Sequence, residues 1–246
     1  MQRYFLDSPF GIDGTAKIQG GDGKHIVKVM RMDVGNRIIA VTNGEAFVSE
    51  IIDLLSDGVV ISRKEGPLTS NEMPVEVTIA CGLPKGDKLD LIVQKGTELG
   101  MRAIIPFEAE RSIVKWDSKK GDKKVERLSK IAKEAAEQCH RTFIPEVQAP
   151  LSFKQLLLES KNYDIRLFAD EEDAKSVEPN RIADRLKNVY HKQTVLVVFG
   201  PEGGLSRKEA DALVTAKFLS VSLGPRILRT ETAPLYLLSA MSYEFE

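Results

Sequence analysis

The sequence lacks a long hydrophobic run, since no apolar stretch approaches the roughly 18 residues of a membrane-spanning helix. Its first residues, MQRYFLDSPFG, contain one basic side chain and no extended apolar segment, which does not match a secretory signal peptide. Only two cysteines occur, Cys81 and Cys139, and they are too far apart for a metal-ligand spacing. We therefore expect a cytoplasmic protein with two buried thiols, no membrane segment and no metal site.

Two nucleotide-binding motifs are also absent. No G-x-G-x-x-G follows the first predicted strand of the α/β region, so support for a dehydrogenase is weak. No G-x-x-x-x-G-K-[ST] occurs, which excludes P-loop nucleotide hydrolysis. What is present is a composition of 42% hydrophobic and 29% charged residues over 246 positions. Such a chain buries a sizeable core in one or two domains.

An overall excess of positive charge is lacking, because the formal net charge is −1. The distribution of charge is nevertheless uneven. Residues 111–133 contain nine Lys or Arg and three acidic residues, whereas residues 1–75 contain eight and ten. A basic stretch of this kind is either a solvated helix face or a nucleic-acid contact, and composition leaves both interpretations open.

Short strands separated by turn signals fill the first 65 or so residues. Asn43-Gly44 and Asp57-Gly58 tolerate positive φ and predict tight hairpins. One short helix fits residues 23–30. The predicted strands are RYFL, TAKIQ, RIIAV, residues 46–52 and VVISR. This pattern predicts a small β-barrel-like domain of mostly antiparallel strands.

From residue 75 onward, apolar runs alternate with helical periodicity, which predicts a parallel α/β domain. A polar segment containing Pro67 and Pro74 precedes it, so we expect domains at residues 1–70 and 74–246. The strands are continuously apolar, as expected for a sheet covered by helices on both faces; they are residues 77–83, 103–107, 165–169, 194–199 and 218–224. The predicted helices are residues 85–99, 122–140, 206–216 with a Ser206–Glu209 capping box, and a last helix with Thr232 as N-cap.

Two of these strands end at a Gly-Pro pair, in VFGPEGG (198–204) and LGPRILRTETAP (223–234). Ligands of open parallel sheets bind beyond the carboxyl ends of adjacent strands, so the two loops predict one crevice, with a third wall at residues 169–171. Gly203 and Gly204 would allow close approach of the backbone to a ligand. The alternative is that the glycines only make tight turns. An apolar slot between backbone-rich loops suits a flat adenine ring, but spacing alone does not name the ligand.

The combination of FGPEGGLS (199–206) with LGPRILRTETA (223–233) resembles the bacterial 16S ribosomal RNA uridine-N3 methyltransferases of the SPOUT superfamily. Further similarity lies in residues 95–115 and 134–147 and, nearer the start of the chain, in RYF and HIVKVMRMDVGN. The resemblance covers nearly the whole chain. It implies methylation, by S-adenosylmethionine, of N3 of a specific uridine in the decoding region of 16S rRNA in the small ribosomal subunit, giving 3-methyluridine.

The resemblance also implies features of the fold that no periodicity indicates. It implies a PUA-like β-barrel RNA-binding domain, followed by a SPOUT-type parallel sheet with a C-terminal trefoil knot, although knots are rare. It implies an obligate homodimer, because the cofactor pocket of SPOUT enzymes lies against the partner subunit. The cofactor-binding positions that it implies are Leu167, Phe168, Ala169, Phe199, Gly200, Pro201, Glu202, Gly203, Gly204, Leu223, Gly224, Ile227 and Leu228.

Charged residues of the second Gly-Pro segment are candidates for catalysis. The N3 proton of uracil has a pKa roughly two units above neutral, so removing it at pH 7 costs about 2.7 kcal/mol. A guanidinium about 4 Å from the resulting anion stabilises it by roughly 4 kcal/mol at an effective dielectric near 20. Arg229 is therefore the first catalytic candidate and Arg3 the second. Glu231 either orients the arginine or accepts a proton, or it compensates the charge of a helix N-terminus. Candidate RNA contacts are Arg3, Arg31, Arg111, Lys115, Lys123 and Arg127, with an ion pair to Glu98 as the alternative for Arg111.

Two other functions stay open. A different SPOUT activity, such as ribose 2′-O-methylation, would keep the fold and the cofactor and change only the acceptor atom. A non-catalytic RNA-binding protein with a relict cofactor fold would not bind S-adenosylmethionine. Mass spectrometry of the modified nucleoside tests the first alternative, and calorimetry with the cofactor tests the second.

Overall fold

The computed structural model describes residues 1–170 and 180–246, apart from the side chains of residues 118 and 119. The chain forms two compact units. The first contains Met1–Glu72 together with Ala136–Phe143, and the second contains Met73–Ala135 and Ile144–Glu246. Residues 136–143, which lie within the second expected domain in sequence, therefore belong with the first unit.

The first unit is organised around a five-stranded sheet, counted over the described residues. Its strands are β1 (Arg3–Phe5), β2 (Thr15–Ile18), β3 (Arg37–Thr42), β4 (Glu45–Leu55) and β5 (Gly58–Glu65). Their order is β1-β3-β4-β5-β2; β1 and β3 are parallel and the other neighbours antiparallel. The helix predicted over residues 23–30 begins earlier, as α1 (Gly20–Lys24), and continues as a π-helical turn (His25–Val29).

The two dipeptide turns of this unit have different geometries. Asn43 and Gly44 join β3 to β4 with φ values of 51° and 76°, which confirms the predicted tight hairpin. Asp57-Gly58 also lies at a tight hairpin, as predicted, because Leu55 of β4 pairs with Gly58 of β5; Gly58 itself has no positive φ. A Cβ on Gly58 would lie 2.0 Å from the carbonyl oxygen of Ile18, and close packing between neighbouring chain segments therefore requires the glycine.

The second unit contains a sheet of seven parallel strands within its described residues. They are β6 (Glu76–Gly82), β7 (Ala103–Glu108), β8 (Glu146–Val147), β9 (Leu151–Ser152), β10 (Ile165–Ala169), β11 (Thr194–Phe199) and β12 (Leu219–Val221). Their order is β12-β10-β11-β6-β7-β8, with β9 also paired to β7. Four predicted strands are confirmed to within one residue at each end. The fifth, predicted over 218–224, is shorter, and β8 and β9 were missed because two residues show no periodicity.

Alternate residues of the central strands face two different apolar cores. Val77 and Ile79 of β6 belong to one cluster of buried side chains, and Ala80 belongs to the other. Leu167 and Phe168 of β10 divide in the same way. The sheet is therefore covered on both faces, which confirms the prediction from its continuously apolar strands.

The remaining helices are α2 (Lys88–Glu98), α3 (Ser118–Gln138), α4 (Phe153–Glu159), α5 (Ile182–Leu186), α6 (Arg207–Thr215) and α7 (Thr232–Phe245). The capping box of α6 is confirmed, with Glu209 N 3.2 Å from Ser206 Oγ and Ser206 N 2.8 Å from Glu209 Oε2. The N-cap role of Thr232 was wrong, because Thr232 is the first residue of α7 and Glu231 precedes it without a side-chain cap. No helix in the described ranges combines the length and apolarity needed to cross a membrane.

Candidate functional site

Three adjacent strand ends meet at one edge of the sheet in the second unit. Strand β10 lies between β11 and β12, so the residues that follow Ala169, Phe199 and Val221 lie side by side. They line a cavity of about 510 Å³. We define loop A as residues 200–205, after β11, and loop B as residues 222–231, after β12. The two Gly-Pro segments therefore share one crevice.

Most of the positions expected to bind a cofactor line this cavity. They are Ala169, Phe199, Gly200, Pro201, Glu202, Gly204, Leu223, Gly224, Ile227 and Leu228. Leu167 and Phe168 are buried in the two core clusters instead, because both lie inside the strand rather than beyond its end. Gly203 faces Arg111, whose Cβ would be 3.1 Å from an added Cβ. Glu171, expected in the third wall, lies outside the described residues.

Loop A has no room for a side chain at its first residue. A Cβ on Gly200 would lie 2.6 Å from the carbonyl carbon of Gly204 and 2.7 Å from the amide nitrogen of Leu205. Gly204 itself has a φ of 67°, and its N–H donates to the Pro201 carbonyl at 2.8 Å. The loop therefore folds back on itself and presents backbone, rather than side chains, along this part of the cavity.

The Glu202 carboxylate is held by the segment that leads into α2. Its Oε1 accepts hydrogen bonds from the Lys85 backbone N–H at 3.0 Å and from Lys88 Nζ at 2.8 Å. Burial alone would raise the pKa of Glu202, but these hydrogen bonds outweigh it and hold the pKa below its ordinary value of 4.5. Glu202 is therefore ionised at neutral pH and joins loop A to α2.

Lys88 also reaches the end of loop B. Its Nζ lies 3.7 Å from Glu231 Oε2, a buried oxygen without a hydrogen-bond partner in the part of the chain described. The hydrogen bond to Glu202 raises the pKa of Lys88, with a smaller opposing effect from Arg229. No sequence pattern predicted a role for Lys88. Its place shortly after β6 was the only signal, and the adjacency of β6 to β11 is a property of the folded sheet.

Both arginines of loop B, Arg226 and Arg229, are exposed and line the cavity. The Arg229 carbonyl accepts the backbone N–H groups of Thr232 at 2.9 Å and Ala233 at 3.0 Å, which fixes its backbone at the start of α7. Among the described residues neither guanidinium has an ion-pair partner. Arg229 therefore carries an exposed guanidinium without an ion-pair partner among the described residues, on a backbone held at the cavity.

Arg111 lies at the same cavity, and its expected ion pair with Glu98 was wrong. The Arg111 Nη1 group donates to the Gly203 carbonyl at 2.9 Å. Glu98 instead pairs with Lys95, one helical turn away, at 2.8 Å. Arg111 thus stabilises loop A through the Gly203 carbonyl, and its side chain also lines the cavity.

Arg3 is a buried residue of the first unit, only 7% exposed. Its Nη1 donates to the Arg141 carbonyl at 2.8 Å, and Arg141 in turn donates to Glu72. Burial lowers the pKa of Arg3. A guanidinium enclosed in this way does not reach the phosphates of an RNA. The burial of Arg3 and its hydrogen bond to Arg141 favour a structural role over an RNA contact or a catalytic role.

The other expected RNA contacts are exposed. Arg31 lies in the first unit with a φ of 52°. Lys115, Lys123 and Arg127 lie in the second unit, where they line a separate cavity of about 530 Å³. Arg127 is engaged there by a contact with Asp90. Lys115 and Lys123 have no ion-pair partner within residues 1–170 and 180–246.

Cysteine and metal chemistry have no support at the first cavity. Cys81, at the end of β6, is fully buried, and burial raises the pKa of its thiol to about 12. It is therefore a neutral packing group, as predicted, whereas Cys139 is only half-buried. Within the described residues no group of three or more His, Cys, Asp or Glu side chains is arranged to hold a metal ion.

Comparison with known proteins yields family models and full-length relatives. A model described as RNA methyltransferase domain matches residues 71–242, and one described as RNA methyltransferase PUA domain matches residues 18–62. The chain is 46% identical over 250 residues to ribosomal RNA small subunit methyltransferase E of Bacillus subtilis (strain 168), covering 100% of this chain and 98% of the relative.

Solved structures show the same relationship. The crystal structure of a hypothetical protein matches with a TM-score of 0.92 and 44% identity, covering 100% of this chain and 99% of the other. The crystal structure of a ribosomal RNA small subunit methyltransferase E from Neisseria gonorrhoeae, bound to S-adenosyl methionine, matches with a TM-score of 0.86 and 26% identity. That match covers 100% of this chain and 98% of the other.

Proposed function

The chain belongs to the ribosomal RNA small subunit methyltransferase E family, and from this membership we propose that it methylates N3 of a uridine in the decoding region of 16S rRNA. S-adenosylmethionine is the proposed methyl donor. One observation carries the proposal: both Gly-Pro loops and the end of β10 line a single cavity, which the exposed Arg229 also lines. Because ribosomal RNA is the substrate, the cytoplasm is the proposed place of action.

The residues of the first cavity fit the proposed cofactor. Its volume of about 510 Å³ suits a ligand of this size. Phe199, Val221 and Leu223 give apolar walls for a flat adenine ring, while loop A contributes backbone groups that can hydrogen-bond to its edge. The crowding at Gly200 explains why glycine begins this loop. We therefore assign to cofactor binding the expected positions that line this cavity, namely Ala169, Phe199, Gly200, Pro201, Glu202, Gly204, Leu223, Gly224, Ile227 and Leu228.

Arg229 is the proposed catalytic residue. S-adenosylmethionine supplies a methyl group activated by its sulfonium charge. The acceptor N3 of uracil must lose a proton, and Arg229 stabilises the resulting anion by the positive charge of its guanidinium. The exposed guanidinium lacks a competing carboxylate among the described residues, so its charge is not already neutralised by the protein.

Glu231 is proposed to position loop B. Its carboxylate lies 3.7 Å from Lys88 and makes no side-chain cap to α7. Glu231 directly precedes the first residue of α7, so its charge also compensates the helix N-terminus, as the alternative interpretation expects. Through Lys88 the carboxylate is linked to Glu202 of loop A. Glu231 therefore holds the end of loop B close to α2, and with it the backbone on which Arg229 is carried.

Two features of the family's architecture extend the proposal. We propose a trefoil knot in the second unit. Its support is that α7, which follows loop B, packs back against the earlier helices α2 and α5 of the same unit. We also propose a homodimer, supported by exposed Ile227, Tyr236 and Tyr243, which are 76%, 41% and 90% exposed. Sedimentation equilibrium tests the dimer, since a monomer at micromolar concentration would contradict it.

RNA binding is proposed to involve both parts of the chain. The first unit, with Arg31 exposed, corresponds to the PUA-domain match and to the expected RNA-binding domain over residues 1–70. In residues 74–246, the methyltransferase domain, we assign RNA contact to Arg111, Lys115, Lys123 and Arg127. Phosphate contacts predict an affinity that falls steeply with salt.

Nucleoside mass spectrometry is the deciding experiment. We expect 3-methyluridine to be lost from the 16S rRNA of a deletion strain and restored by the intact gene. Loss of a 2′-O-methylated nucleoside instead would identify the alternative SPOUT activity. Calorimetry with S-adenosylmethionine separates both from a non-catalytic RNA-binding protein, which would show no binding.

A further inference from the structure

The second cavity of the second unit contains the only tryptophan of the chain, Trp116. Its volume is about 530 Å³. Trp116 is partly buried against the apolar core, so the ring is held by packing rather than mobile on the surface. Val114 and Leu128 add further apolar surface. The cavity therefore offers a fixed aromatic ring in a partly apolar setting.

Positive charge surrounds this ring. The lining side chains include five cations, Lys115, Lys120, Lys123, Lys124 and Arg127, and two carboxylates, Asp87 and Asp90. Arg127 pairs with both carboxylates, and Lys120 lies 3.4 Å from Asp117. Lys115, Lys123 and Lys124 have no ion-pair partner in the described chain. Three unneutralised ammonium groups are thus left beside an aromatic ring.

Two chain segments contribute to both cavities. The start of α2 places Lys88 at the first cavity and Asp87 at the second. The segment after β7 places Arg111 at the first cavity and Trp116 at the second. The two cavities are therefore built in part from the same two chain segments of one unit.

We propose that the second cavity is an RNA subsite in which a nucleobase flanking the acceptor uridine stacks on Trp116. Lys115, Lys123 and Lys124 hold the adjoining phosphates. An aromatic platform with cations at its edge is the chemistry by which proteins bind unpaired nucleotides, since every base has a π-face and every linkage a negative charge. The proposal rests on the proposed function, because it assumes that the acceptor uridine of the same strand lies beside the cofactor bound in the first cavity.

Intrinsic fluorescence tests stacking directly, because every tryptophan signal comes from Trp116. The probe is a ten-nucleotide single-stranded oligouridylate, and the control is an oligonucleotide of equal length and charge with abasic riboses. We expect oligouridylate to quench the emission in a saturable manner and the abasic chain to bind with little quenching. Equal quenching by both, or no quenching by oligouridylate, would overturn the subsite.

Substitution separates the ring from the charges. Measured by anisotropy of a labelled oligouridylate, Trp116→Leu is expected to weaken binding roughly 5- to 100-fold, whereas Trp116→Phe, which keeps an aromatic face, stays within about 3-fold. Calorimetry with S-adenosylmethionine checks that the Leu variant is folded. Equal affinities for the two variants would contradict stacking.

A second pair of variants avoids changes to the packed ring. The double variant Lys123→Ala, Lys124→Ala should weaken oligouridylate binding about 10-fold and lower the salt dependence of that binding. The matched control is Lys154→Ala, Lys161→Ala, which changes two exposed lysines outside the cavity. Equal affinities and equal salt dependences for the two double variants would contradict the subsite. Failure of the proposed methylation would appear separately, in cofactor binding and nucleoside analysis.

Discussion

Lys88 Nζ lies 2.8 Å from Glu202 Oε1 and so connects α2 to loop A, while the same nitrogen lies 3.7 Å from Glu231 at the end of loop B. One ammonium group thus lies between two carboxylates that come from two different strand ends. Without it, Glu202 and Glu231 would be like charges on neighbouring loops, and their repulsion would favour separation of the walls of the cavity. We infer that Lys88 is a positioning residue for the cofactor site.

Replacement of Lys88 by methionine is expected to weaken S-adenosylmethionine binding about 10-fold, because it removes the cation and keeps the aliphatic stem. The control is Lys95→Met, which breaks an ion pair of the same 2.8 Å length on the exposed surface of the same helix. Titration calorimetry measures both. Equal affinities for the two variants would show that the link between the loops does not hold the site.

The Lys88–Glu202 pair also predicts a pH window for stability. Glu202 has a lowered pKa, so its contribution is present above its unfolded value of 4.5 and is lost as pH falls through the folded pKa. Lys88 has a raised pKa, so its contribution is present below its unfolded value of 10.5 and is lost as pH rises through the folded pKa. The pair is therefore fully effective between these two values.

Urea unfolding of wild type and Glu202→Gln at a series of pH values measures this window. We expect a difference in unfolding free energy below about 1 kcal/mol, because both side chains are about one-third exposed, and we expect it to be constant near neutrality. The difference should shrink below pH 4.5 as the wild-type carboxylate is protonated. A difference that persists unchanged well below that pH would contradict the assignment.

Loop A offers a matched pair of glycine substitutions. Gly200→Ala places a Cβ 2.6 Å from backbone of Gly204, which cannot move without opening the loop, so we expect a loss of about 1–3 kcal/mol of stability. Gly203→Ala meets only the Arg111 side chain at 3.1 Å, which can shift, and should cost less than about 1 kcal/mol. Urea unfolding gives the stabilities and calorimetry the cofactor affinities. A larger loss for Gly203→Ala would reverse the assignment of the two glycines.

Much of the second unit could be predicted because its signals are local. The continuous apolar runs of β10 and β11 and the capping box of Ser206 and Glu209 each lie within a few residues, and each matches the structure. Loops A and B were recognisable for the same reason, since each Gly-Pro pair follows its own strand. Features that are set by contacts between residues distant in sequence were not predicted. The order of β10, β11 and β12 in the sheet depends on long-range packing.

The residues that were misjudged show the same limit. Lys88 reaches the site only because β6 lies beside β11. Arg3 looked available as a charged residue near the start of the chain, but the carbonyl of Arg141 and the surrounding core enclose it. Gly58 stands at its predicted hairpin, but the glycine is needed because a Cβ would meet the Ile18 carbonyl, not because of a positive φ. In each case the deciding neighbour is distant in sequence, so no pattern within a short window identifies it.

Arg229 gives the sharpest test of the proposed chemistry. If its charge stabilises the N3 anion of uracil, Arg229→Ala should lower kcat about 100-fold or more and leave the Kd for S-adenosylmethionine within about 3-fold. Arg226→Ala removes a second exposed arginine from the same cavity and should have little effect on kcat.

The pH dependence of the Arg229→Ala reaction separates anion stabilisation from simple RNA attraction. Without the guanidinium, formation of the anion follows the pKa of free uridine, roughly two units above neutral, so the activity of the variant should rise about tenfold per pH unit from pH 7 toward pH 9. Arg229→Lys keeps a positive charge and should retain part of the wild-type rate and a flatter profile. Single-turnover methylation of small ribosomal subunits measures these rates without interference from product release. An Arg229→Ala profile parallel to that of wild type would mean that the residue attracts RNA and does not act on N3.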